Sequence, residues 1–254
     1  MKIISYNVNG IRAALRKDFA EWLKAADPDV VCLQETKAKP VQIPSEIFEE
    51  LGYHSYYFSA EKPGYSGVAI LTKQEPNHVE YGCPIELYQK EGRVIRADFD
   101  GVSVMSVYIP SGTTGDIRQD LKMESLEDFH AYVRNLRKEK PNLVISGDFN
   151  ICHTEIDIHN PVANKKSSGF LPEERAWVSD FLEDGMVDGF REVNQEPHQY
   201  TWWSYRFNSR QQNKGWRIDY HMVTESLREN IKRSAILREA MHSDHAPLLI
   251  ELDL

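Results

Sequence analysis

The segment Leu143–Asn150, Leu-Val-Ile-Ser-Gly-Asp-Phe-Asn, constrains this chain more than any other stretch. Its apolar first half suits a buried strand. A strand that ends on Asp148 and Asn150 delivers a carboxylate and an amide at its C-terminal edge, where open α/β sheets build their sites. Residues two apart on an extended segment project to the same side. The pair can therefore hold a hard cation, position a water, or do both. Ile4–Asn9 repeats the order of strand and then asparagine, without enough similarity to make a duplication.

Periodicity extends the reading along the chain. A strand over Lys2–Asn7 leads into a helix in which Ile11, Leu15, Phe19, Trp22, Leu23 and Ala26 follow helical spacing, with Pro28 beyond its end. Strands are predicted at Val30–Gln34 (ending on Glu35), Tyr53–Ser59 and Val68–Thr72. Asp100-Gly101 splits Arg93–Phe99 from Val102–Ile109 as a hairpin. Ile117–Lys138 reads as a helix with Ile117, Leu121, Ser125, Phe129, Val133 and Leu136 on one face. After the Leu143–Ser146 strand, Ile151–Phe170 is irregular and polar, as a functional loop would be. A helix follows from Pro172 to Glu183, then strands at Tyr200–Ser204, Trp216–Val223, Ala235–Arg238 and Pro247–Leu252. Hairpins mixed with strand–helix–strand units imply an α/β (α+β) fold, with two mixed sheets face to face between helical layers. No linker divides the 254 residues, so one domain over 1–254 is expected.

Composition narrows the class. With 41% hydrophobic and 27% charged residues the chain can bury a sizeable core and remain an ordinary soluble protein. Its apolar runs are far shorter than a membrane span, and no secretory or transit signal is read at the N-terminus. Cys32, Cys83 and Cys152 are scattered and odd in number, which argues against a disulfide framework and for a reduced, cytoplasmic protein. The net charge of −9 lowers the expectation of a nucleic-acid partner. Metal-binding carboxylates would account for part of that charge, and bases cluster locally at Lys165-Lys166, Arg206, Arg210, Lys214 and Arg217.

Five segments place acids, amides or imidazoles at predicted strand ends: Asn7-Val8-Asn9-Gly10, Gln34-Glu35-Thr36-Lys37, Asp148-Phe149-Asn150, Arg217-Ile218-Asp219-Tyr220 and Ser243-Asp244-His245. Each alone reads most simply as a turn or a helix cap; five together do not. Glu35, Asp244 and the Asn7 and Asn9 amides supply the oxygen ligands that Mg²⁺ prefers. A zinc set from Cys152, His153, His242 and His245 lacks paired-cysteine spacing. Ser146-Gly147-Asp148 lacks the pattern of a nucleophile elbow, and no phosphate-cradling P-loop is present.

The motifs, taken in order, resemble the exonuclease III family of abasic-site DNA endonucleases, within the DNase I-like endonuclease/exonuclease/phosphatase superfamily. The resemblance runs essentially end to end. It rests on Ile4–Arg12, Leu33–Lys37, Gly64–Ile70, Glu91–Ile95, Tyr108-Ile109-Pro110, Gly147–Asn150, Gly215–Tyr220 and Ser243–Pro247. The Glu and Asp-His motifs occur across the superfamily. Gly-Trp-Arg-Ile-Asp-Tyr, Asn164–Phe170 and Tyr200–Trp203 are narrower and point to its DNA-repair branch.

The resemblance implies a four-layer α/β sandwich and a set of roles. Glu35 is the principal ligand of Mg²⁺, for which Mn²⁺ can substitute, aided by Asn7 or Asn9 and by Asp244. Asp148 orients and deprotonates the attacking water, and Asn150 holds that water or the phosphate. His245, paired with Asp219, contacts a non-bridging phosphate oxygen, and Tyr108 hydrogen-bonds the scissile phosphate. In a second arrangement Asp148, Asn150 and His245 form another metal position. Trp202, Trp216 and Ile218 match the wall of a pocket for an extruded abasic sugar, while Arg93, Ser111, Lys165, Lys166 and Arg206 match DNA-contact positions. Asn9 stands where some relatives carry Asp, and Ser111 where relatives often carry a longer amide.

The implied activity is cleavage of double-stranded DNA 5′ to abasic sites, leaving a 3′-hydroxyl. Exonuclease or phosphatase action at blocked 3′ ends is expected beside it, from a monomer with no membrane partner. The rivals are a phosphodiesterase of the same fold acting on RNA or a phosphorylated small molecule, and a DNA-binding module without catalysis.

Overall fold

The computed structural model describes all 254 residues. In chain order its strands are β1 (Lys2–Asn7), β2 (Val30–Gln34), β3 (His54–Phe58), β4 (Val68–Thr72), β5 (His78–Tyr81), β6 (Val94–Phe99), β7 (Val102–Tyr108), β8 (Leu143–Asp148), β9 (Met186–Asp188), β10 (Asp219–Thr224), β11 (Ile231–Ile236) and β12 (Leu248–Leu252). The helices are α1 (Ile11–Leu15), α2 (Phe19–Ala26), α3 (Glu46–Glu50), α4 (Glu86–Glu91), α5 (Asp116–Leu136), α6 (Pro161–Asn164), α7 (Pro172–Glu183) and α8 (Gly189–Val193). None is long and apolar enough to cross a membrane.

Two six-stranded mixed sheets result, ordered β11-β12-β1-β2-β4-β3 and β5-β6-β7-β8-β10-β9. Their central strands are near-continuous apolar runs because both faces are covered. On β2, Val30 and Cys32 point between the sheets, whereas Val31 and Leu33 pack outward among Phe19, Leu23 and Phe48. On β8, Val144 lies between the sheets while Leu143 and Ile145 face Phe129, Val133 and Phe181 of α5 and α7. The four-layer sandwich follows from that alternation.

The inward face of these strands changes character along their length. Ile3, Ser5 and Asn7 alternate inward on β1; Val30, Cys32 and Gln34 on β2; Val144, Ser146 and Asp148 on β8; Val223, His221 and Asp219 on β10. One end of the inter-sheet layer is therefore apolar and the other hydrogen-bonded. Gln34 Nε2 donates to Ser106 Oγ at 3.0 Å, and Ser146 Oγ lies 2.7 Å from His221 Nδ1. Buried polar groups need such partners, and the polar end carries the chemistry.

Several expectations are corrected. The single helix from Ile11 to Ala26 is two, because Asp18 adopts φ 62°, in the left-handed region, and turns the chain. Ile117 and Leu121 are exposed on α5, whereas Ser125, Phe129, Val133 and Leu136 are buried as expected, joined by Lys122, Leu126 and His130. Tyr200–Ser204 is not a strand. Trp202 and Trp216 exchange two backbone hydrogen bonds of 2.9 Å as an isolated bridge, and β10 begins only at Asp219. The short strands β5 and β9 carry too little apolar alternation to be read in advance.

Candidate active site

Strand register assembles the site. In the second sheet Tyr108 pairs with Asp148 across parallel β7 and β8, and Asp148 pairs with Asp219 across antiparallel β8 and β10. The three side chains therefore stand in one row. In the first sheet Asn7 pairs with Gln34, which brings Glu35 to the same end. Asn7 ties the sheets together: its Nδ2 donates to Glu35 Oε1 at 2.8 Å and to Asp148 Oδ2 at 2.9 Å.

The turns beyond the strands aim the remaining groups. The Asn9 N–H donates to Asn7 Oδ1 at 3.0 Å, and the Asn150 N–H donates to Asp148 Oδ1 at 2.8 Å. Asn9, Glu35 and Asn150 have φ of 46°, 52° and 52°. Asparagine tolerates this region, but a glutamate there is strained, which is common where a functional side chain must be aimed. Asn150 Nδ2 donates to the Ile109 carbonyl at 2.9 Å, which fixes its amide.

His245 completes the centre. Its Nδ1 lies 2.8 Å from Asp219 Oδ2, and its Nε2 lies 3.8 Å from Asp148 Oδ2. Burial opposes the imidazolium, but Asp219, Asp148 and Asp244 outweigh it and hold His245 charged well above the ordinary histidine range. Asp148 moves the other way from a normal acid. Burial and the neighbouring charges of Asp219 and Glu35 raise it well above the usual carboxylate range, against His245 and the Asn150 N–H. Glu35 is held low: burial is outweighed by Lys37, Asn7 and His245. Lys37 Nζ lies 2.7 Å from Glu35 Oε2 and donates to Asn9 Oδ1 at 2.5 Å.

These residues fit a hard cation. Ligand atoms of Glu35, Asp148 and His245 lie within 4.8 Å of one another. Four acids (Glu35, Asp148, Asp219, Asp244) face two bases (Lys37, His245), and buried Asp219 Oδ1 has no hydrogen-bond partner. Such surplus oxygen acceptors suit a divalent ion. Asp244 stands outside the tight cluster, with Oδ1 accepting from Asn9 Nδ2 at 2.9 Å and Oδ2 from Trp202 Nε1 at 3.1 Å. Asn7 presents its amide N–H₂ to the carboxylates, and its oxygen accepts from Asn9. The zinc set is dispersed: His153 pairs with Ser179 and His242 with Tyr6.

The site opens into a cleft of about 740 Å³ that includes Glu35, Tyr108, Ser111, Asp148, Asn150, Lys166, Trp202, Trp216, Ile218, Asp244 and His245. Trp202 and Trp216 meet edge to face with centroids 6.1 Å apart, and Ile218 packs beneath them with Cys152, Ile158 and Phe170. Lys165, Lys166 and Arg206 are exposed, and Lys166 lines the cleft.

Arg93 is the clearest departure from the expected DNA contacts. Its side chain is 1% exposed, donates to Glu91 Oε2 and the Tyr108 carbonyl, and lies 4.5 Å from the Tyr108 ring centroid. It supports Tyr108 and cannot reach solvent. Arg210 and Arg217 also leave the basic cluster. Arg210 donates to the carbonyls of Arg238, Ala240, Ser243 and His245, and buried Arg217 pairs with Asp157 and Asp188. Lys37, Lys122 and Glu174 were given no role in advance. The signal for Lys122 was available, since it precedes Leu126 and Phe129 on the helical spacing of a buried stripe.

Two sheets delivering acids, an imidazole and amides to one cleft define a hydrolase-type site on a four-layer sandwich. The chain belongs to the Endonuclease/Exonuclease/phosphatase family, whose model matches residues 4–245. It is 44% identical over 256 residues to an exodeoxyribonuclease of Bacillus subtilis, covering 100% of both chains. It is 43% identical to the DNA repair nuclease APEX1 of Danio rerio, over 99% of this chain and 82% of the relative. Among solved structures it superposes on an AP endonuclease from Archaeoglobus fulgidus with TM-score 0.92 and 32% identity, covering 100% of both chains. A 3′-5′ exonuclease from Neisseria meningitidis gives TM-score 0.92 at 30% identity, also covering 100% of both.

Proposed function

We propose that this protein is a DNA-repair phosphodiesterase that hydrolyses double-stranded DNA 5′ to abasic sites, leaving a 3′-hydroxyl. It also acts as a 3′-to-5′ exonuclease and 3′-phosphatase on duplex ends. The observation that carries the reading is Asp148. It is a buried carboxylate with a raised proton affinity, held between Asn7, Asn150 and His245 at the floor of a cleft walled by Trp202 and Trp216.

Asp148 orients the attacking water and takes its proton; a base whose affinity lies near the working pH is effective in that role. Asn150, anchored through Nδ2 on Ile109, holds the water or the phosphate. The charged His245, steered by Asp219 at Nδ1, directs Nε2 at a non-bridging phosphate oxygen. The Tyr108 phenol stays protonated, since burial and the Glu35 charge raise it well above its ordinary value, and so remains a donor. These donors act on charge that develops in the transition state. Glu35, with Asn7, Asn9 and Asp244 around it, would hold Mg²⁺ or Mn²⁺, which supplies Lewis-acid stabilisation of the phosphoryl oxygens when bound. The second arrangement, with a metal on Asp148, Asn150 and His245, uses the same side chains but needs His245 neutral, its Nε2 proton given up to the metal.

Trp202, Trp216 and Ile218 favour a sugar without a base, because their apolar wall leaves no partner for a base edge. Lys165, Lys166 and Arg206 place cations where the backbone of a duplex would pass, and Ser111 offers a short hydroxyl beside the phosphate. The protein works as a monomer in the cytoplasm, where its three buried free cysteines stay reduced.

A duplex carrying one tetrahydrofuran abasic analogue tests the reading. Nicking that needs Mg²⁺ and stops with EDTA is expected. No nicking at ample enzyme, or equal loss on abasic and undamaged DNA for Trp216→Ala, would overturn the activity or the pocket respectively.

A further inference from the structure

We propose that the buried Lys122–Glu174 ion pair is a positioning device, holding Asn150 and the Ser168-Gly169 wall of the cleft in register. The proposal rests on the phosphodiesterase reading above and adds two residues that lie behind the cleft.

Lys122 comes from α5 and Glu174 from the first turn of α7, and both side chains are 0% exposed. Lys122 Nζ lies 2.5 Å from Glu174 Oε1 and donates to the Asn150 carbonyl at 2.9 Å. The other carboxylate oxygen, Oε2, accepts the Gly169 N–H at 2.6 Å and the Leu171 N–H at 3.0 Å. Gln119 Nε2 adds a bond to Oε1 at 3.1 Å, and Gln119 Oε1 accepts from Ser168 Oγ at 2.7 Å. One ammonium and one carboxylate thus connect Asn150, two residues after the base, to a wall of the cleft.

The backbone explains why an anchor is placed there. Asn150 sits at φ 52° and Gly169 at φ 93°. Gly169 has no room for a side chain: a Cβ would stand 3.0 Å from Trp216 Cζ3 and 3.1 Å from the Asn150 carbonyl oxygen. The Cys152 N–H donates to the Gly169 carbonyl at 2.7 Å, fixing the two loops to each other. Gly169 is therefore packed against both Asn150 and Trp216, and the ion pair holds Asn150 and Gly169 from behind.

Stability alone does not call for this pair. Replacing a buried ion pair by well-packed apolar side chains is often neutral or stabilising, so its value here lies in geometry. Each of its donors and acceptors ends on backbone next to the cleft or on Gln119, itself a cleft residue.

The test compares kcat and KM on the abasic-analogue duplex for Lys122→Met/Glu174→Gln, which removes both charges together. Thermal unfolding is followed on the same samples. The expected result is a folded protein whose kcat falls about 10- to 100-fold while KM stays within about threefold, as misplacement of a catalytic group produces. Glu174→Gln alone, which keeps the side chain's shape, is the second variant should the double one not fold, with the same split expected. A folded variant of either kind with kcat within about threefold of the unaltered chain overturns the proposal, as does a loss carried wholly by KM. If the unaltered chain does not nick, the functional reading fails instead.

Discussion

Two of the buried clusters of acids and bases differ in a way that separates scaffold from site. In one, Arg217 lies between Asp157 and Asp188, with Arg191 on Asp157 at 2.6 Å. Two acids meet two guanidiniums, and Asp157 is held well below the usual carboxylate range: burial is outweighed by Arg217 and Arg191. In the other, Glu35, Asp148, Asp219 and Asp244 outnumber Lys37 and His245, and Asp148 is pushed upward. The balanced cluster is closed and serves to fix Trp216 and Ile218 through the backbone of Arg217. The acid-rich cluster is open to a cleft and stays short of positive charge. A balanced network completes a fold; an unbalanced one is completed by what binds to it.

Four experiments break or sharpen that contrast. Asp148→Asn removes the base from the open cluster and is expected to lower kcat roughly 10²–10⁴-fold while duplex binding survives. Retained turnover in a single-turnover assay would reassign the base.

Arg217→Met strikes the closed cluster, leaving Asp157 and Asp188 buried against a missing cation. Denaturant unfolding should show a loss of about 3–5 kcal/mol. The sign with pH is fixed. A carboxyl whose folded affinity is depressed stabilises the fold above its unfolded value near 4 and loses that contribution as the pH falls further. The gap between Arg217→Met and the unaltered chain must therefore narrow below about pH 4, and a gap that widens contradicts the pairing.

His221 offers a third solution, a buried imidazole kept neutral. Burial pulls it down to about 4, and Ser146 and the Leu248 carbonyl occupy its nitrogens. The unfolded chain takes the proton first as pH falls from about 6.5, so stability should decline towards pH 4 by up to about 3 kcal/mol. His221→Asn should flatten that slope in unfolding curves collected across the range.

The smallest effect belongs to the rim. Lys165→Ala with Lys166→Ala should weaken duplex binding and reduce the salt slope by about 1 per lysine, leaving kcat alone. An unchanged slope in binding titrations would place these lysines off the DNA path.

Much of the site was legible because strand ends are local. Glu35, Asp148, Asn150, Asp244 and His245 each follow or precede a short apolar run, and period-two alternation aims them together. Arg93, Arg210 and Arg217 read as candidate DNA contacts because sequence shows charge and not what covers it. Arg93 lies under Tyr108 and Arg217 between two aspartates, partners 15, 29 and 60 residues distant. Lys122 shows the reverse: its spacing with Leu126 and Phe129 places it on the buried stripe, yet a lysine's charge argues for water until Glu174 is seen beside it.

The residues themselves determine the two sheets, their covered faces and the acids at one end, since alternation and turn chemistry act over a few neighbours. Register across the sheets decided the rest. It set Asp219 behind His245, Asn7 between two carboxylates, and the arginine-paired Asp157 and Asp188 apart from the acids of the cleft. Such placements depend on burial and on partners far along the chain, and those exist only once the layers have closed.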